Sequence, residues 1–400
     1  MKMPPVAIAG IGCLCGAGLT LQQCMTSMYA GIRQPALPTR FPLDPTCTFP
    51  VFEVTDDFFP AEKIRNRSVL RTCKLALTAT LEALGNARLE PEILQNLNTG
   101  VCIGTNVGCS MNNDALYRDV GEISDAYLSP LDRFLRSNPT SSIATEFKLS
   151  GPCQTVVTAC SAGSDALGIA ASWINSGLCD AVIAGGADEL YRVTYKGFRS
   201  LFINDPSPCK PFDAHRNGLN LGEGAAVFIM VSDKVLERSG LVPRAFLLGY
   251  GSSADAYHFT KPRPDGKGLR LAIEQALQFG GVKPSDLAFV NAHGTGTLDN
   301  DLIESQVLHA ALPEIPFLST KGYTGHTLGA SGAIEAAFTI ASLEQSRIPA
   351  SIGFNTPDPE LPTHPVGENT IISGRKALSE TLAFGGSNAV LIIESGEGIT

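Results

Sequence analysis

One cysteine and two histidines stand in this sequence where side chains can do chemistry. Cys160 closes the apolar run Thr155-Val156-Val157-Thr158-Ala159 and opens the small-residue stretch Ser161-Ala162-Gly163-Ser164-Asp165-Ala166-Leu167-Gly168, so it is expected at a strand-to-helix junction. Such a junction offers unpaired backbone N–H groups and the positive end of a helix dipole. Both lower a thiol pKa from about 8.5 and favour the nucleophilic thiolate, which can take an acyl group from a thioester. His293 lies in Asn291-Ala292-His293-Gly294-Thr295-Gly296-Thr297, and His326 ends Ser319-Thr320-Lys321-Gly322-Tyr323-Thr324-Gly325-His326. Each segment follows a short apolar run, Leu287–Val290 and Ile315–Leu318, so each imidazole is expected in a Gly/Thr-rich loop at a strand end. Taken singly, a buried Cys is a small hydrophobe and a loop His is a structural hydrogen-bonder. Three such settings in one chain argue for a site.

The elements that must position these groups alternate between strand-like and helix-like runs. Val6–Ala9, Gly100–Gly104 and Ala181–Ala184 are predicted strands; Leu75–Leu89 and Ala166–Ile174 are predicted helices. From about Arg244 the plan repeats, with strands at 245–249, 287–290 and 316–318 and helices at 268–277, 301–311 and 328–343. The chain is therefore α/β and duplicated, with Cys160 and His326 expected at corresponding places in the two halves. The halves are taken as residues 1–243, carrying the cysteine, and 244–400, carrying both histidines, in one compact unit.

At 400 residues with 44% apolar and 17% charged residues, the chain can bury a sizeable core. A formal charge of −9 argues against a generally nucleic-acid-binding surface. Eleven cysteines without a C-x-x-C pair fit neither a zinc ribbon nor a disulfide-stapled fold, so no metal and a reducing, cytoplasmic location are expected. No run approaches 18 apolar residues. Lys2 and the mildly apolar Val6–Leu19 raise a signal peptide as an alternative to a first strand, but Pro4-Pro5 and four glycines favour strand and loop. Gly10, Gly12 and Gly16 imitate a dinucleotide-binding loop, without the acid that should follow about 20 residues on.

Four segments carry a family resemblance: Thr158-Ala159-Cys160-Ser161-Ala162-Gly163, His293-Gly294-Thr295-Gly296-Thr297, the stretch from Lys321 through His326 to Glu335, and Phe384-Gly385-Gly386-Ser387-Asn388. In this order and spacing, from Val6 to about residue 395, the chain resembles the β-ketoacyl-acyl-carrier-protein synthases of the thiolase superfamily. The resemblance implies a five-layered α/β/α/β/α thiolase-like fold and decarboxylative condensation of malonyl-carrier protein with a Cys-bound acyl chain. Cys160 would be the nucleophile, His293 and His326 the pair serving decarboxylation and condensation, and the Cys160 and Phe384 N–H groups the oxyanion hole. Lys321 and Glu335 would be a charged pair behind the histidine, with an ordinary ion pair as the alternative.

By the same resemblance Thr295 and Thr297 would bind the pantetheine arm or merely stabilise a turn, and Val107, Phe198 and Gly385 would serve the acyl pocket and its gate. The family's further segments would hold Asp213, Arg216, Gly218, Glu223 and His258. No cofactor is implied beyond the phosphopantetheine that carries the substrates. The implied partners are an acyl carrier protein and a second subunit, either an identical chain or a ketosynthase-like chain-length partner of a polyketide or aryl polyene system. Lys63, Arg65, Arg67, Arg71 and Lys74, with Arg133 and Arg136, are basic candidates for the acidic carrier, or a solvated face. The chain departs from the family at Ala383, expected to stiffen the gate where Gly is usual, at Leu298-Asp299 in place of Pro-Leu, and at Val107, smaller than Ile or Phe. A thiolase would use a second Cys as base, a papain-like hydrolase has no use for the second His, and a non-catalytic chain-length partner would not keep Cys160.

Overall fold

The computed structural model describes residues 2–43, 48–108 and 137–396. Its strands are β1 (Val6–Cys15), β2 (Thr99–Gly104), β3 (Cys153–Val156), β4 (Ala181–Asp188), β5 (Gly224–Val231), β6 (Ala245–Ala254), β7 (Leu287–Asn291), β8 (Phe317–Leu318), β9 (Arg347–Ile348), β10 (Thr370–Ile371), β11 (Lys376–Leu382) and β12 (Ser387–Ser395). The main helices are α1 (Arg71–Ala87), α2 (Ala162–Asn175), α3 (Lys267–Gly280), α4 (Leu298–Ala311) and α5 (Ser331–Glu344).

Ten strands pair in the order β3-β2-β4-β5-β1-β6-β12-β11-β7-β8. Reading outward from the central β1–β6 pair, the two halves have the same order. β1 and β6 join them antiparallel, with Val6 opposite Leu247 and Ile8 opposite Ala245. The repeat expected from the sequence is thus a pseudo-two-fold frame. β4 and β5 are buried along their whole length, as apolar strands covered on both faces must be. Alternate residues of β4 divide between two cores: Val182 and Ala184 face α2 and α5, whereas Ala181 and Ile183 face α1. In the second half Leu378, Val390 and Ile392 face α3 and α4. The layers run α1, first half-sheet, α2 with α5, second half-sheet, α3 with α4.

The first strand is ten residues long rather than four. Gly10 and Gly12 are strand positions, not a nucleotide loop: a Cβ on Gly10 would lie 2.1 Å from the Ala83 carbonyl oxygen of α1. Their lack of a side chain lets α1 lie directly on the strand.

Ala159 and Leu328 occupy the same place in the two halves. Each is a non-glycine residue in the left-handed region, with φ 53° and 56°, that begins a 3₁₀ turn running straight into a central helix, α2 or α5. Such backbone is uncommon and costs on the order of 1–3 kcal/mol. The equivalence puts Cys160 opposite Gly329, so His326 stands three residues before the matching position rather than on it.

Candidate active site

Cys160, His293 and His326 converge at the floor of one cavity of about 310 Å³, lying beyond the carboxyl ends of parallel strands, where open α/β sheets place their ligands. Cys160 sits in the 3₁₀ turn ahead of α2, with Asp165 of the first helical turn beneath it. Asp165 accepts hydrogen bonds from Thr158 Oγ1, from Ser161 Oγ at 2.8 Å and from Tyr250 Oη at 2.7 Å. These bonds hold the strained turn.

The lowered thiol pKa expected from the helix end is not what the buried site gives. Burial pushes Cys160 up to about 11, against the opposing pull of the Phe384 backbone N–H, which hydrogen-bonds the sulfur, and of Lys321. Desolvation outweighs the helix end, and the resting group at neutral pH is the thiol.

His293 and His326 meet edge to face, with ring centroids 5.3 Å apart. Lys321 Nζ donates to His293 Nδ1 at 2.9 Å and to the His293 carbonyl at 2.6 Å, and makes a salt bridge with Glu335 Oε1. The charged pair expected behind a histidine is therefore behind His293. The Leu328 N–H donates to His326 Nδ1 at 3.1 Å. Burial, reinforced by Lys321, holds both imidazoles well below the ordinary histidine range. Both rings are neutral with Nδ1 occupied as an acceptor, so each carries its proton on Nε2 as a donor.

Three acids that fix these loops, and a fourth behind one of them, escaped the sequence analysis. Asp301 accepts from the Thr295 N–H (3.1 Å) and Gly296 N–H (3.2 Å), and Glu304 from the His293 N–H (2.5 Å) and Gly294 N–H (2.8 Å). Both acids belong to α4, directly after the loop they hold. Behind Glu304 lies buried Glu380 of β11; burial and the Glu304 charge drive its carboxyl well above the usual range, so it is the protonated member of the pair. Asp188, ending β4, accepts from the Asn106 N–H (2.7 Å), Val107 N–H (3.1 Å) and Gly329 N–H (2.7 Å). The visible signal was an acid directly after a fully apolar strand, and acids in the first turns of a helix after a His loop.

The remaining candidates separate. Thr295 and Thr297 line the cavity above the histidines, their hydroxyls 2.9 Å apart. Phe384 stacks on Phe198 at 5.5 Å and 17°, and Val107 packs in the same apolar cluster. Val107 and Phe198 stand on that cluster's side of Phe384, outside the cavity lining. Ala383 has extended φ and ψ of −129° and 151°, which any residue adopts. The positive φ values fall at Gly385 (83°) and Gly386 (82°), so in this conformation the added methyl introduces no strain.

Arg71 leaves the exposed basic cluster: its guanidinium is paired with Glu223, at 2.6 Å, and with Asp56. Lys74 Nζ lies 5.2 Å over the Phe59 ring. Lys63, Arg65 and Arg67 are exposed, while Arg133 and Arg136 lie outside the described residues. Glu223 also accepts from the Leu190 and Val54 N–H groups, and Arg216 pairs with Asp358 and Asp301, so these positions anchor loops. Asp213 likewise accepts from the Asn355 and Thr356 N–H groups, and His258 Nδ1 accepts from the Thr260 N–H.

The two neutral imidazoles make stability proton-linked. Their folded pKa lies below the unfolded value, so the stabilising neutral form is fully present above about pH 6.5 and costs increasingly more as pH falls. His326→Asn should remove the His326 share of that dependence and leave that of His293. Relative to wild type, the variant should gain up to about 1.4 kcal/mol per pH unit below pH 6.5 in urea unfolding. Parallel pH curves for the two proteins would show that His326 titrates normally.

Residues 3–235 match the family described as "Beta-ketoacyl synthase, N-terminal domain" and residues 244–355 its C-terminal domain. The chain is 33% identical to the 3-oxoacyl-[acyl-carrier-protein] synthase 2 of Synechocystis sp., over 96% of this chain and 97% of that protein. It is 30% identical to the enzyme of the same name from Staphylococcus aureus, over 98% of each. Among solved structures it is similar to the ishigamide ketosynthase/chain length factor (TM-score 0.91, 28% identity, covering 98% of this chain and 100% of that one). It is also similar to a ketosynthase in complex with its chain length factor from Xenorhabdus doucetiae (TM-score 0.82, 28% identity, 98% of each). With both halves matched, in the order that the doubled sheet requires and with the thiol and imidazoles at one floor, the chain belongs to the β-ketoacyl synthase family.

Proposed function

We propose that this protein condenses a Cys160-bound acyl chain with malonyl-acyl-carrier protein, releasing carbon dioxide and a 3-oxoacyl thioester. The observation that carries this is the meeting of one thiol, one backbone N–H and two imidazole Nε2 donors in a single cavity. In the first step Cys160 sulfur attacks the acyl thioester; its proton leaves with the departing pantetheine thiol, and the oxyanion is held by the Cys160 and Phe384 N–H groups. In the second, the malonyl carbon–carboxyl bond breaks and its electron pair moves onto the thioester oxygen. The His293 and His326 Nε2–H donors stabilise that enolate, so the reaction needs hydrogen-bond donors there rather than bases. Its carbon then attacks the acyl-Cys carbonyl, and Cys160 leaves as thiolate and regains a proton. Lys321 and Glu335 position His293.

Phe384 acts as the gate in this scheme, and Val107 with Phe198 receives the acyl tail once Phe384 swings away. The scheme calls for no added cofactor; the phosphopantetheine is part of the substrate. The protein works in the cytoplasm, its two halves acting as one unit. Retention of Cys160 and both imidazoles favours a catalytic subunit, whether paired with its own copy or with a chain-length partner. Production of 3-oxoacyl-carrier protein by the purified chain, given acyl- and malonyl-carrier proteins, tests the assignment; no product with the chain alone but product with an added chain-length subunit would establish the heterodimer.

Carrier recognition falls to Lys63, Arg65 and Arg67. Reversing all three charges should raise KM for carrier-bound acyl substrate about tenfold or more at low salt and leave a small acyl thioester unaffected. The contrast should fade near 0.5 M salt, where exposed charges are screened within a few ångströms. An equal response of both substrates would assign the cluster a structural role.

A further inference from the structure

The walls of the cavity grade from buried to exposed along a single stretch of chain. His293 is 2% exposed and Thr295 6%, Thr297 is half-buried, and Leu298 and Asp299 stand at the open lip. On the opposite lip the loop after β6 brings up Thr260, Lys261 and Pro262. Lys261 Nζ reaches across to Asp299 Oδ2 at 2.9 Å, tying the two lips together, with each side chain more than half exposed. The backbone beneath is fixed: the Thr260 and Lys261 N–H groups donate to His258 Nδ1 at 3.1 and 3.3 Å. Among the described residues that line the cavity, Lys261 is the only lysine or arginine.

A substrate whose thioester reaches Cys160 must leave the other end of its arm at this lip, and that end is a phosphate. We propose that Lys261 is the seat for the phosphate of the phosphopantetheine arm and that Asp299 is its built-in competitor, holding the ammonium in place while weakening its hold on the anion. The proposal rests on the condensing function above. An exposed ion pair is weak enough to be opened or shared by an incoming anion. The phosphate gains a charge-assisted hydrogen bond from the ammonium. The amino end of α4, which begins at Leu298, adds a favourable field at the same spot. The ammonium is kept ordered for docking, and its partner's charge keeps the arm from being held too long.

Acyl thioesters of 4′-phosphopantetheine and of pantetheine, both free of carrier protein, separate phosphate recognition from carrier recognition. Wild-type protein should load Cys160 from both, with KM about three- to tenfold lower for the phosphorylated arm. Lys261→Ala should raise KM for that substrate alone and erase the preference, with kcat unchanged; Lys261→Arg should restore it. Asp299→Asn should strengthen the preference. Equal KM for the two arms in wild type, or an equal shift of both in Lys261→Ala, would overturn the proposal while leaving the condensing assignment standing. Absence of any Cys160 adduct from either arm would overturn the assignment itself.

Discussion

Cys160→Ala should form no acyl-enzyme and lose condensation by a factor on the order of 10⁴ or more, the scale of removing a covalent nucleophile. Of the described cysteines, Cys160 alone lines the cavity, so no other thiol can take its place. Intact-mass spectrometry after incubation with acyl-carrier protein should show one adduct on the wild type and none on the variant. Because the imidazole donors do not depend on the thiol for their geometry, the variant should still release carbon dioxide from malonyl-carrier protein. An adduct of equal yield on Cys160→Ala would remove the residue from the mechanism.

The complementary result is expected from the histidines. His293→Ala and His326→Ala should each reduce carbon dioxide release about a hundred- to thousandfold, the effect of deleting one donor to a developing oxyanion, while still accepting an acyl group on Cys160. Retained acylation controls for folding, which matters at His293 because its loss leaves Lys321 and Glu335 without their neighbour. Normal carbon dioxide release from either variant would show that its Nε2–H does not face the enolate. If acylation and decarboxylation fell together in both, the imidazoles would instead be needed to prepare the thiol.

The groups that meet in the cavity were legible in the sequence because their types are rare and their settings repeat: a thiol after one strand, and imidazoles in Gly/Thr loops after two others. The duplicated α/β plan was legible for a related reason, since strand and helix periods alternate twice. What holds these groups in place was not. Glu304 and Asp301 hold backbone N–H groups of the His293 loop from the following helix, and Asp188 ties four N–H groups, those of Asn106, Val107, Gly108 and Gly329, from two distant segments. An acid that accepts from backbone leaves no mark on the residues it binds, whose identities are free to vary. The thiol pKa failed for the opposite reason: the helix end is visible in sequence, but the depth of burial that outweighs it belongs to the assembled halves. Arg71 failed similarly, because a cluster of cations in sequence does not show which one points inward to Glu223.

The strained turn that carries Cys160 occurs twice, yet its second copy is barred from bearing a reactive side chain. A Cβ at Gly329 would stand 2.5 Å from the Asn106 nitrogen and 2.8 Å from Asp188 Oδ2. The loop at 105–108, pinned there by Asp188, occupies the room that a second thiol would need. A frame of near two-fold symmetry thus places a thiol in one turn only, with the copy packed against the original. Each chain should accordingly take up a single acyl group however many halves it contains, and a second equivalent can enter an assembly only with a second chain.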